Sequence, residues 1–213
     1  MKIAVLISGR GSNLQSLIDA QARGSLSAEI SLVISNIPNA TGLERAIRAG
    51  IPTKTISHRD FLDRRDFEEA INIALLEAHI ELVCLAGFMR LLTGSFVNEW
   101  ADRLVNIHPS LLPSFKGLNT HERALDAGVR FTGCTVHFVR SEMDNGPVIL
   151  QAAVPILPDD DADSLAARVL EQEHIIYPLA VDMIASGRIL VENGQVKIKD
   201  AGLPDAPLIN PSS

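Results

Sequence analysis

Short apolar runs alternate along the chain with segments of helical spacing. "KIAVLIS", "AEISLVIS", "PTKTIS", "ELVCLAG" and "RLVNIH" each have strand length, and turn-forming residues bound them. Such alternation predicts βαβ units on a mostly parallel, open twisted sheet flanked by helices, joined by right-handed crossovers. Between two of these runs, Phe67, Ala70, Ile71, Ala74, Leu75 and Ala78 recur at i, i+3, i+4 and i+7, one buried stripe of a helix. "GLERAIRAG" predicts a shorter helix whose Gly50 suits the left-handed position just past its end.

After residue 130 the pattern changes. "FTGCTVHFV" and "PVILQAAVPI" are two further strands around a polar loop, "RSEMDNG", so an antiparallel portion is expected toward the C-terminus. A long helical segment follows from "DADSLAARV", with acidic residues at its start and Pro178 expected to kink or divide it. "RILVENGQVKI" predicts a hairpin turning at Asn193 and Gly194. No linker or repeat splits the chain, so residues 1–200 are expected to form one α/β domain, and the Pro-rich 201–213 a loosely held tail.

Composition narrows the function. At 213 residues with a formal charge of -7, the chain lacks the basic excess that a phosphate backbone attracts, which argues against nucleic acid as a partner. Neither a signal segment nor an apolar run of membrane length is evident, and a cytoplasmic protein with no membrane partner is expected. Cys84 and Cys134 sit within apolar strands and are expected to be buried thiols. His58, His79, His121, His137 and His174 have no ligand spacing, so no metal is expected.

Two stretches bear candidate chemistry. "SGRGSNL", residues 8–14, links a strand to a helix: Gly9 and Gly11 allow a tight turn, while Ser12 and Asn13 can cap a helix whose free N–H groups attract an anion. The third glycine of a dinucleotide fingerprint and the P-loop Lys-Ser/Thr are both missing, so NAD and ATP fit poorly. The same residues also suit an ordinary strand-to-helix turn. "LVNIHPSLLPSF" carries Asn106 and His108 two positions apart, on one side of a strand's carboxyl end, where open sheets collect ligands. Asn supplies a neutral donor to a developing oxyanion, and His can supply a proton near neutrality. Either is also compatible with a purely structural place. Asp144 is equally a turn residue or, if the fold carries it to His108, a carboxylate that favours the charged imidazolium.

These motifs, together with "LAGFMRLL", "TVHFV", "DNGPVILQ" and "RVLEQEHIIYP", resemble in order and spacing the folate-dependent formyltransferases, a Rossmann-like family. The resemblance covers residues 1 to about 190 and is strongest toward the phosphoribosylglycinamide branch, through "SGRGSNL" near the N-terminus. It implies formyl transfer from 10-formyltetrahydrofolate to glycinamide ribonucleotide in purine biosynthesis, with Asn106, His108 and Asp144 catalytic. It further implies that Gly11, Ser12 and Asn13 hold the phosphate and that Leu170, Glu171, Gln172 and Glu173 meet the rest of the ribonucleotide. The folate is implied against Arg64, Met89, Arg90, Leu91, Leu92 and Asn106, under the loop Arg140, Ser141, Glu142, Met143 and Asp144. Thr135 stands where the family has Ser or Thr and is expected to help order a water. Asn145 stands where the family often has Gly. A homodimer is implied only by the family. Two rivals use the same residues: a formyltetrahydrofolate hydrolase with water as acceptor, and a non-catalytic nucleotide or folate sensor.

Overall fold

The computed structural model describes residues 1–202 and 208–211. The chain forms β1 (Lys2–Ile7), α1 (Ser12–Ala22), β2 (Glu29–Ser35), α2 (Thr41–Arg48), β3 (Thr53–Thr55), α3 (Arg64–Glu77), β4 (Leu82–Leu85) and α4 (Gly94–Glu99). It continues through β5 (Leu104–His108), α5 (Thr120–Asp126), β6 (Phe131–Phe138), β7 (Val148–Pro155), α6 (Ala162–Ala185), β8 (Ile189–Glu192) and β9 (Gln195–Ile198). Strands β1 to β7 make one sheet in the order β3-β2-β1-β4-β5-β6-β7. The first five are mutually parallel, and β6 runs antiparallel to both its neighbours. The α/β class and the change of pattern after residue 130 are as the sequence predicts.

Alternation along β1 explains the layers. Ile3, Val5 and Ile7 join Leu14, Leu17 and Tyr177 in one core, while Ala4 and Leu6 join Phe67, Ile71, Leu75 and Trp100 in the other. Helices α1 and α6 therefore cover one face and α3 and α4 the opposite face. Each large side chain removed from water contributes about 1.5–3 kcal/mol. Burial on both faces accounts for the nearly unbroken apolar run in a central strand. Strand order reverses between β1 and β4, which opens a crevice at their carboxyl ends.

Local expectations fare unevenly. Gly50 has φ 70°, and its N–H donates to Ile47 O at 3.0 Å, closing α2 as expected. Asn193 and Gly194 turn the β8–β9 hairpin with φ 51° and 76°. Pro178, by contrast, does not divide α6, which runs unbroken from Ala162 to Ala185. Ile176, Tyr177, Ala180 and Val181 around it are all buried, and that packing outweighs the roughly 3 kcal/mol cost of an interior proline. The start of α6 is secured by a capping box between Asp161 and Ser164. In the tail, Asn210 Nδ2 donates to Arg130 O at 2.6 Å and Ile156 O at 3.1 Å, so that point is tied to the sheet rather than loose. The rest of the tail expectation, over 203–207 and 212–213, lies outside the described residues.

Candidate functional site

The site forms where β5 ends. Antiparallel register with β6 sets Asn106 opposite His137, and His108 opposite Thr135. Past β6 the chain turns back, and Asp144, at φ 50°, brings its Oδ2 to 3.6 Å from His108 Nδ1. The same oxygen accepts from Gly117 N at 2.8 Å. Asp144 Oδ1 lies 3.9 Å from His137 Nε2. His108 Nε2 meets Phe115 O at 3.1 Å, and since a carbonyl only accepts, that nitrogen carries its hydrogen. Both ring nitrogens of a 6% exposed imidazole thus face oxygen. Asn106, His108 and Asp144 are brought together as expected from the resemblance. An amide, an imidazole and a carboxylate together in this crevice can stabilise an oxyanion and hold a proton beside it.

Thr135 does something other than expected. Its hydroxyl donates to Ser110 O at 2.7 Å and accepts from Leu112 N at 3.1 Å and Gln151 Nε2 at 3.0 Å. Those three bonds use its one hydrogen and both lone pairs, leaving nothing to order a water. Thr135 instead secures the loop after His108, where Ser110 Oγ also donates to Ser114 O at 2.6 Å. That loop supplies Phe115 O and Gly117 N to His108 and Asp144. Neither Gln151 nor the two backbone groups carries a sequence signal for this role.

At the start of α1 the N-cap is Gly11, at φ 68° and without a side-chain cap, so Ser12 and Asn13 do not cap the helix. Asn13 instead sends Nδ2 to Glu173 Oε2 at 2.7 Å, joining α1 to α6. Its Oδ1 is buried and unpaired, a polar atom still seeking a donor. Glu173 is 6% exposed, and burial pushes its carboxyl above the ordinary range. Gln172 is half-buried beside it, while Glu171 points to solvent. Gly42 of α2 lies against Gly11 so closely that a Cβ on Gly11 would stand 2.7 Å from Gly42 Cα. Arg45 braces the turn by donating Nε to Arg10 O at 2.9 Å and Nη1 to Gln15 Oε1 at 3.2 Å. The free N–H groups of a helix's first turn, held in this frame, suit an anion.

A third wall comes from Met89 to Leu92. Ser8 Oγ donates to Asn36 Oδ1 at 2.5 Å and accepts from Met89 N at 2.8 Å, which ties this loop to β1. Met89 and Leu91 are 68% and 60% exposed, and Met143 and Leu118 also stand in solvent. The loop from Arg140 to Asp144 is anchored by Arg140 Nη2 on Asp102 Oδ1 at 2.5 Å and by Lys116 Nζ on Asn145 Oδ1 at 2.9 Å. Asn145 Nδ2 in turn donates to Glu142 Oε2 at 2.6 Å. Arg64 begins α3 as an exposed side chain, and no contact joins it to these loops among the described residues. A separate hollow of about 560 Å³ lies between α3 and α4, and its buried Glu68 spends both carboxylate oxygens on Thr93.

Cys84 and Cys134 are buried, and burial pushes both thiols up to about 12, so neither is a nucleophile near neutrality. Among the described residues no group of three His, Cys, Asp or Glu could hold a metal ion, and no helix is long and apolar enough to cross a membrane.

Residues 1–181 match the family described as Formyl transferase. The chain belongs to this family. Within it, the phosphoribosylglycinamide formyltransferase of Haemophilus influenzae is 43% identical over 209 residues, 98% of this chain and 99% of that protein. The human trifunctional purine biosynthetic protein adenosine-3 is 53% identical over 196 residues, which make up 92% of this chain but 19% of that protein. The chain thus spans about a fifth of such trifunctional relatives. The crystal structure of glycinamide ribonucleotide transformylase 1 from Symbiobacterium toebii superposes with a TM-score of 0.92 at 44% identity, covering 94% of each chain. The formyl transferase fold therefore includes the seven-stranded sheet and its flanking helices as described above.

Proposed function

We propose that this formyl transferase moves the formyl group of 10-formyltetrahydrofolate to the amine of glycinamide ribonucleotide, a step of purine biosynthesis, by direct transfer. The observation that carries the reading is the cluster of half-buried Asn106 and Asp144 around the buried His108 at the end of β5, with both imidazole nitrogens facing oxygen. The near full-length likeness to enzymes with this activity supports the acceptor.

In this reading, Gly11, Ser12 and Asn13 hold the phosphate on the first-turn N–H groups of α1, and Glu173 meets the ribose and glycinamide portion. Asn13 Oδ1, buried and unpaired, is available to a donor on that substrate. The exposed Met89, Leu91 and Met143 offer an apolar cover for a flat heterocycle, with Arg90, Leu92 and the loop Arg140 to Asp144 around it. The amine lone pair attacks the formyl carbon, and the carbonyl oxygen becomes negative. Asn106 donates to that oxygen, and the positive charge of a protonated His108, whose N–H groups face Phe115 O and Asp144, stabilises it electrostatically, while Asp144 keeps the imidazole charged and oriented. Collapse breaks the bond from formyl carbon to folate nitrogen; the attacking amine loses a proton and the departing nitrogen gains one. Holding both substrates in reacting geometry replaces a covalent enzyme intermediate.

The acceptor is tested by following a 13C-formyl label on the folate. The label is expected on the amine of the ribonucleotide. Label released as free formate in the presence of saturating ribonucleotide would move the assignment to a hydrolase.

A further inference from the structure

His137 is a buried histidine with no assigned part in formyl transfer. It is 1% exposed and lies across the β5–β6 pairing from Asn106. Its Nδ1 is 2.9 Å from Phe138 O, its Nε2 is 3.3 Å from Asn106 Nδ2, and Nε2 lies 3.9 Å from Asp144 Oδ1. A backbone carbonyl can only accept, so Nδ1 carries the hydrogen. Burial holds this imidazole below its ordinary value, which leaves it neutral and Nε2 a bare lone pair.

A lone pair must face a donor. At 3.3 Å from Nε2, the Asn106 amide can present only its NH2 group, because its carbonyl oxygen there would set two lone pairs against each other. One N–H of Asn106 is then spent on His137. The second, on the same nitrogen and about 120° away in the amide plane, stays free. The opposite tautomer, paired with a flipped Asn106 amide, would lose the bond to Phe138 O and set a bare Nδ1 lone pair against that carbonyl at 2.9 Å.

We propose that His137 is a positioning residue: its bare Nε2 fixes the Asn106 amide so that an N–H, not the carbonyl oxygen, faces the reacting oxygen. The inference rests on the proposed role of Asn106 as oxyanion donor. A flipped amide would repel the oxyanion that the correct one attracts, which turns a supporting group into an opposing one.

Two readouts test it. In protein labelled with 15N at histidine, with the His137 signals identified by their loss in His137→Gln, the 137 ring is expected as the Nδ1–H tautomer with Nε2 unprotonated. An Nε2–H tautomer would overturn the proposal. Kinetically, His137→Phe removes the acceptor, whereas His137→Gln retains one near the place of Nε2. The Phe variant is expected to lower kcat about 10- to 100-fold, with KM for both substrates within about twofold, and the Gln variant to recover to within about threefold. In an Asn106→Ala background, His137→Phe should change kcat less than about threefold, because the amide it orients is gone. Equal losses in both backgrounds, or equal losses for Phe and Gln, would refute the positioning role. Full kcat in Asn106→Ala alone would sink the reading of Asn106, and the role of His137 with it, whatever the tautomer.

Discussion

Replacing Gly11 by alanine perturbs one point where α1, α2 and the strand-to-helix turn meet. Gly11 has φ 68°, a conformation that costs an L-residue about 1 kcal/mol. The new Cβ would stand 2.7 Å from Gly42 Cα, well inside ordinary contact, and both partners are backbone. Gly42 cannot retreat freely, because Ile7 packs so close that a Cβ added to Gly42 would stand 2.6 Å from Ile7 Cδ1, and its N–H donates to Gly9 O at 3.0 Å. Overpacking of this kind adds about 1–3 kcal/mol, so the total loss is about 2–4 kcal/mol. Gly24 supplies the control: at φ 72° with nothing within 4 Å, its alanine variant carries the conformational cost alone, about 1 kcal/mol. Urea unfolding of both variants separates the steric part, and KM for the ribonucleotide reports on the anion turn. Gly11→Ala should raise that KM and Gly24→Ala should not. Equal stability losses with an unchanged KM would refute the argument.

Other perturbations have defined outcomes. Asp144→Asn removes the charge beside His108 and should lower kcat on the order of 100- to 10,000-fold with an unchanged melting temperature, checked by steady-state kinetics and thermal melts. Burial raises the Glu173 carboxyl above its ordinary 4.5, so its stability contribution is full below that pH and is lost as pH rises through the folded value. Melts of Glu173→Gln and the native chain should therefore diverge, with the variant gaining, as pH rises above 4.5. Asp160 has the opposite sign: the Arg168 guanidinium, donating at 2.6 and 2.7 Å, holds its carboxyl down to about 2. Asp160→Asn should cost about 1 kcal/mol in urea unfolding at neutral pH, a deficit that shrinks as pH falls from 3.8 toward 2.

Legibility in the sequence follows the range of the forces involved. The strands, the stripe of α3, the end of α2 at Gly50 and the turn at Asn193 are local matters of period and backbone freedom. Asn106 and His108 share a face because they are two apart in a strand. Asp144 reaches them only through the antiparallel return of β6, a feature of topology that spacing does not encode. His137 becomes visible only once the register sets it opposite Asn106. The close approach of Gly42 to Gly11 depends on how two helices pack. Where local preference and packing disagree, packing prevails: Pro178 stays inside a helix, Thr135 is drawn into the loop below it, and Asn13 leaves the cap for Glu173.

The most direct test of the central claim is absorbance-monitored conversion of 10-formyltetrahydrofolate by the purified protein, with and without glycinamide ribonucleotide, alongside His108→Ala. The account predicts turnover that requires the ribonucleotide and is lost in the variant. Folate conversion at the same rate without the ribonucleotide, or undiminished in His108→Ala, would contradict it.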